Sequence, residues 1–282
     1  MLTARPLLAA AVAAGALYLA PGAAHAAQSY DNCTGFIDSV PATITTQGTW
    51  CLRKDLGTAI TSGNAITIAT NNVTLDCNDF KIGGLAAGEA SNANGIHAKQ
   101  RQNVTIRNCS IRGFRLGVSL DRGSGHLVEN NHLDNNLAIG IYFHSYSTNN
   151  SAVVRNNRVT DTGGSPGRSN IYGISVSGTL VEDNVVSGLF ADSATPDLVG
   201  INFIGRGVVR GNLVTRFASN ANGHAAGIRA ASGGVAERNV VLGQGFPGVG
   251  IDAGICRDNT SSGFTEEYDC FTSRDDEDGR SR

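Results

Sequence analysis

The sequence predicts an all-β chain wound as a single-stranded parallel β-helix, a solenoid of about seven to eight coils behind an N-terminal cap. A glycine followed by an aliphatic residue recurs along the chain, and so does an asparagine that follows a charged residue by two positions. The composition adds to these, with 36 Gly, only 6 Pro and 1 Met in 282 residues, and no long amphipathic helical period outside the N-terminal segment.

The N-terminal segment reads as an export signal. Arg5 precedes an apolar stretch from Leu7 to Ala20, then come Pro21 and Gly22, and Ala24-His25-Ala26 forms a small-x-small cleavage site. Residues 1–26 are therefore expected to be a signal peptide that sends the mature chain to the periplasm or outside the cell. The apolar stretch is short for a membrane span, so no membrane association is expected after cleavage. Removal of Arg5 takes the formal charge from −2 to −3, and no basic block lies in the body of the chain, which argues against a nucleic-acid partner. Residues 27–60 are expected to form the cap or leader, 61–264 the solenoid, and 265–282 a C-terminal cap ending in a disordered, mixed-charge tail.

Six cysteines follow the signal, namely Cys33, Cys51, Cys77, Cys109, Cys256 and Cys270, and an even number in an exported chain suggests disulfides. Of the possible pairings, Cys33 with Cys51 and Cys256 with Cys270 are favoured, because each pair brackets one end of the chain. Cys77 and Cys109 remain, at related places in the repeat. Zinc would want a Cys-x-x-Cys or Cys-x-x-His cluster, and there is none. No cofactor is indicated; calcium between loop carboxylates stays open as an alternative, although no dense Asp-x-Asp-x-Asp loop announces it.

The first repeat runs Gly95-Ile96, Gly117-Val118, Gly140-Ile141, Gly173-Ile174, Gly200-Ile201, Gly227-Ile228 and Gly250-Ile251, at spacings of 22, 23, 33, 27, 27 and 23. Interleaved with it are Asn78, Asn131, Asn157, Asn184, Asn212, Asn239 and Asn259, with Cys109 in the corresponding place of one unit. A third apolar point follows in each unit at Ile111, Leu133, Val159, Val186, Val214 and Val241. Such units cannot bury an apolar face alone and must stack, about 4.8 Å apart, so that equivalent residues form columns. The asparagines then become a turn ladder, in which Asn is expected to take left-handed backbone and to bond up and down the column. Two residues before it the charge alternates: Asp76, Arg107, Glu129, Arg155, Glu182, Arg210, Glu237, Arg257. Opposite charges on neighbouring rungs attract and set the order of the coils, so these residues read as structural rather than catalytic.

The motifs Asn72-Val73-Thr74-Leu75-Asp76 and Asn103-Val104-Thr105-Ile106-Arg107-Asn108, with the Gly-Ile repeat, resemble the parallel β-helix repeat of the pectate lyase-like superfamily. The stretch from Ile44 to Leu52 is similar to the leader of exported bacterial right-handed β-helix repeat proteins. The resemblance, which spans about residues 33–264, implies a right-handed coil, as does the usual hand of parallel crossovers. It also implies that a substrate would lie along an outer strand face, and that the family serves lyases, hydrolases, epimerases and adhesins alike.

With the residue after each repeat glycine pointing inward, alternation predicts two outward columns. One is His97, Ser119, Tyr142, Ser175, Asn202, Arg229 and Asp252; the other is Lys99, Asp121, His144, Ser177, Ile204, Ala231 and Gly254. Their chemistry concentrates at Lys99, Asp121, Tyr142 and His144, the candidate catalytic residues, with His97, Arg122, Asn202 and Arg229 as candidate substrate-binding residues. A cationic side chain binding a uronate carboxylate, with Tyr142 or His144 removing the C5 proton, would serve β-elimination or epimerisation. Hydrolysis needs two carboxylates about 6 to 9 Å apart. The acids placed on the columns, Asp121 and Asp252, are five rungs or about 24 Å apart, leaving Asp161, Asp192 and Asp197 as acids from loops. The sequence marks of polygalacturonases, alginate epimerases and classical pectate lyases are missing. The expected function is therefore an exported scaffold that contacts polysaccharide. The alternatives are a polysaccharide lyase or uronate epimerase, and a structural or protein-binding solenoid.

Overall fold

The computed structural model describes residues 30–145, 151–193, 196–219 and 224–273. The expected signal peptide and the polar tail from residue 274 lie outside these residues. Among the described residues no helix is long and apolar enough to cross a membrane.

The chain is a parallel β-solenoid with three strand faces per coil, joined by pairing into one 25-stranded sheet. The first face carries the glycine repeat and stacks Asn64–Ile68, Asn94–Gln102, Leu116–Ser124, Ile139–His144, Asn170–Ser177 and Asp197–Ile204, before the long final strands continue it. The second carries the charges, on strands such as Val73–Asp76, Val104–Arg107, Leu127–Glu129, Val153–Arg155 and Leu180–Glu182. The third carries the remaining apolar point, on strands such as Lys81–Gly83, Ser110–Arg112, His132–Asp134 and Arg158–Thr160. Parallel pairing reaches further than the expected solenoid limits at both ends. Gly48–Leu52 already pairs with Val73–Asp76, and Thr260–Ser273 pairs with the preceding strand as far as Ser273.

One aliphatic column from each face fills the interior. Ile96, Val118, Ile141, Ile174, Ile201, Ile228 and Ile251 are all fully buried, as are Ile106, Val181, Val209, Ile111, Leu133, Val186, Val214 and Val241. The repeat glycine is a packing requirement. A Cβ on Gly140 would lie 2.5 Å from Val159 Cγ1 and 2.7 Å from the Gly173 carbonyl, and one on Gly117 would lie 2.7 Å from both Leu133 Cδ2 and the Gly140 carbonyl. The corner where the third face turns into the first is thus closed by a third-face side chain resting on bare backbone.

At the next turn the asparagines form the expected ladder, with two corrections. Asn131, Asn157, Asn184, Asn212 and Asn239 are buried, and each donates its side-chain amide at 3.0 Å to the Oδ1 of the ladder asparagine one coil on. That same Oδ1 accepts the backbone N–H of the asparagine below, as from Asn157 to Asn184 at 2.9 Å. The left-handed residue is the one before the ladder position, as at Asn130, Asn156, Asp183 and Arg238, because this leaves the ladder asparagine free to point inward. Asn78 does not belong to the column: its own backbone is left-handed, with φ 48°, and its amide donates to the Leu52 carbonyl instead. The column passes into the Cys77–Cys109 disulfide, since Cys109 N–H donates to Asn131 Oδ1 at 3.0 Å. The other disulfides join Cys33 to Cys51 and Cys256 to Cys270.

All eight alternating charges sit in register on the second face. They form couplets rather than one continuous chain of pairs: Arg107 reaches Asp76 at 2.8 Å, Arg155 reaches Glu129 at 2.8 Å, and Arg210 reaches Glu182 at 2.6 Å. Glu237 is engaged by its sequence neighbour Arg238 at 3.3 Å. Arg107, Arg155 and Arg210 each bend toward the acid one coil below, which leaves the interval above each of them open.

Candidate functional site

The outer surface of the first face is the candidate site. Its central column runs in unbroken register through Thr67, His97, Ser119, Tyr142, Ser175, Asn202, Arg229, Asp252 and Asp269. Lys99, Asp121 and His144 flank its early rungs on the second predicted column. Between them Ala98, Leu120 and Phe143 turn inward and are buried.

The early rungs form one cluster. Asp121 lies between two cations, with Lys99 Nζ at 3.9 Å and Arg122 Nε at 3.7 Å. His97 Nδ1 is 3.2 Å from Ser119 Oγ. Burial lowers the His97 imidazolium pKa, against opposing contributions from Asp121 and Ser119, while Lys99 lowers it further. The rings of Tyr142 and His144 are stacked, with centroids 6.2 Å apart and planes at 12°. Tyr142 is seated on an apolar patch of Leu116, Ala138 and Ile139 outside the main core. Gln100 (φ 54°) and Arg122 (φ 62°) have left-handed backbone on adjacent rungs beside this cluster. Residues 146–150, which follow in the sequence, lie outside the described residues.

Asn202 and Arg229 do not join this cluster. Asn202 is buried against Ser175, to which its amide donates at 3.2 Å, and Arg229 lies three rungs beyond Tyr142. The Arg229 guanidinium is clamped by Asp197, at 2.7 and 3.1 Å, so its charge is already met. Tyr172 donates to the same carboxylate at 2.6 Å. Burial raises the Asp197 pKa, but the bonds from Arg229 and Tyr172 outweigh it and hold it low. Burial also pushes the Tyr172 hydroxyl well above the usual range, with the Asp197 hydrogen bond acting in the same direction.

Asp269 corrects the spacing expected for acids. It extends the central column by one rung, so Asp252 has a carboxylate directly beside it. Burial, and next the charge of Asp269, push the Asp252 carboxyl up, with Arg229 opposing. The Gly-Ile repeat does not mark that rung, since Glu267-Tyr268 stands in its place. Tyr172 and Asp197 escaped simple alternation because the repeat glycine interrupts it. The residue before the glycine also faces outward, as the packing of Leu116 and Ile139 against Tyr142 and Tyr172 shows. The face is therefore cationic on its early rungs and acidic on its late ones.

A β-solenoid with a continuous polar column along one face is the class that this geometry defines. The chain belongs to the family described as right handed beta helix region, whose model matches residues 56–214, more than half of its length. Among solved structures, the crystal structure of the Dettilon tailspike protein (gp208) is similar at 15% identity and a TM-score of 0.48, with 80% of this chain and 51% of that chain covered. The chain thus spans about half the length of that protein. No curated protein matches the sequence.

Proposed function

We propose that the protein is an exported β-helix scaffold that contacts polysaccharide along its first face. The observation that carries this reading is the unbroken polar column from Thr67 to Asp269 at the rung spacing of about 4.8 Å, in which Thr67, His97, Tyr142, Arg229, Asp252 and Asp269 reach the surface while Ser119, Ser175 and Asn202 are buried between them. A linear glycan offers hydroxyls at a comparable repeat, and the stacked Tyr142 and His144 rings give a surface for a sugar face. Three disulfides support an oxidising destination. Retention on an immobilised panel of alginate, pectate, glycosaminoglycans and neutral glycans tests the reading. Retention on at least one is expected; passage through all of them leaves a structural or protein-binding solenoid.

A second reading, polysaccharide lyase or uronate epimerase, is favoured by the cluster of Lys99, Asp121, Arg122, Tyr142 and His144. In it Lys99 or Arg122 would hold the uronate carboxylate while Tyr142 or His144 takes the C5 proton. Departure of the glycosidic oxygen then completes elimination, and return of the proton to the other face completes epimerisation. The ultraviolet absorbance of an unsaturated uronide, and deuterium uptake at C5, read the two outcomes.

A further inference from the structure

On the third face, far from the candidate site, a hollow of about 470 Å³ opens between the first coils. Its floor is the glycine pair Gly57 and Gly83, on adjacent rungs of a column that carries Arg112, Asp134 and Thr160 further along. Unlike the glycines of the repeat, these two are not required by packing. A Cβ on Gly57 would meet nothing closer than the Gly83 carbonyl at 3.9 Å, and one on Gly83 nothing closer than the Leu56 carbonyl at 3.8 Å. Neither has the left-handed backbone that favours glycine. Glycine within a strand weakens it and marks places where another group approaches the backbone closely.

The walls point to the kind of group. Leu85, half exposed on the 3-10 turn Leu85–Ala87, and Ala86 offer an apolar side. Lys81 and Arg112 supply positive charge. Lys81 is committed to Asp55 at 3.0 Å, and the hydrogen bonds from Lys81 hold the Asp55 carboxyl below its usual range. Arg112 reaches Asp134 with one terminal nitrogen at 3.1 Å, and its side chain stays 35% exposed at the edge of the hollow. A guanidinium carries five N–H donors in a fixed fork, so one carboxylate contact does not exhaust it.

We propose that this hollow binds a small carboxylate of one-ring size, with the ring face over Gly57 and Gly83, its apolar edge against Leu85 and its carboxylate on the solvent-reaching end of the Arg112 guanidinium. The volume suits a single ring, within the usual range for small-molecule sites. Two sources present this chemistry: a free cyclic acid, or the terminal uronate of a polysaccharide held elsewhere on the molecule.

The test is saturation-transfer NMR and calorimetry on the full chain with benzoate, galacturonate and a tri-uronide. The variants are Gly83→Val, which fills the floor with a strand-favouring side chain, and Arg112→Gln, which removes the donor. Binding of at least one acid is expected, weakened tenfold or more by either variant. Binding of benzoate as well as galacturonate identifies a general acid site, whereas binding of uronides alone identifies a sugar site. Because Gly83 and Arg112 both lie on the third face, loss of binding in their variants assigns the acid to the hollow whether or not the first face contacts polysaccharide. Absence of binding by all three acids overturns the proposal, as does undiminished binding by both variants.

Discussion

Val159 on the third face rests directly on the backbone of Gly140 on the first, so closely that a Cβ on the glycine would lie 2.5 Å from Val159 Cγ1. This contact explains why glycine recurs once per coil. Gly140→Ala is expected to destabilise the fold by about 1–3 kcal/mol through overpacking. Pairing it with Val159→Ala should rescue only part of the loss, because the Gly173 carbonyl at 2.7 Å remains. Gly57→Ala, where the space is open, should be close to neutral. Urea denaturation of the three variants measures all of these.

Asn184 links three coils. It donates to the Val154 carbonyl and to Asn212 Oδ1, both at 3.0 Å, and it accepts from the backbone and side chain of Asn157. Asn184→Ala strands these buried groups, so a loss of at least about 2 kcal/mol is expected. Hydrogen exchange should show faster amide exchange at Asn157 before any other part of the ladder.

Glu182 lies between Arg155 and Arg210 in register, and it pairs with Arg210. Glu182→Arg puts three positive charges in a row, and a fall in Tm of about 2–4 °C is expected. The deficit should shrink as salt is added, since these side chains reach solvent. An unchanged Tm would remove the charges from the forces that set the register.

His126 predicts an acid limit on stability. It is buried, accepts the Val104 N–H on Nδ1 at 3.3 Å and packs edge-on against Phe143, and burial lowers its pKa from 6.5 to about 4. The unfolded chain binds its proton first, so stability present above pH 6.5 is lost as the pH falls toward about 4. The loss attributable to this residue is on the order of 3 kcal/mol. His126→Gln should flatten that part of the pH profile when denaturation midpoints are compared between pH 7 and 4.

What the sequence disclosed was whatever repeats. The glycine column, the charge register and the third apolar column follow from spacing alone, because stacking turns periodicity into contact. Asn78 misled because its place in the motif is correct while its backbone is left-handed, a local property that spacing does not carry. Asp269 stayed hidden because the last coil replaces Gly-Ile with Glu-Tyr, and Asp197, read as a loop acid, opens the strand Asp197–Ile204 instead and there reaches Arg229. The separation of Arg229 from Tyr142 and His144 was already implicit in the rung count. Its commitment to Asp197 was not, since it depends on side-chain geometry. The hollow beneath Arg112 left no mark beyond two glycines outside the repeat.

Whether the first face contacts polysaccharide is read most directly by affinity electrophoresis of the wild type, Tyr142→Ala and Lys99→Ala through gels containing alginate, pectate or a glycosaminoglycan, with thermal melts confirming that all three remain folded. Retardation of the wild type in at least one gel, with a loss of tenfold or more in affinity for both variants, is the expected result. Equal mobility of all three proteins in every gel, or variants retarded as strongly as the wild type, would contradict it.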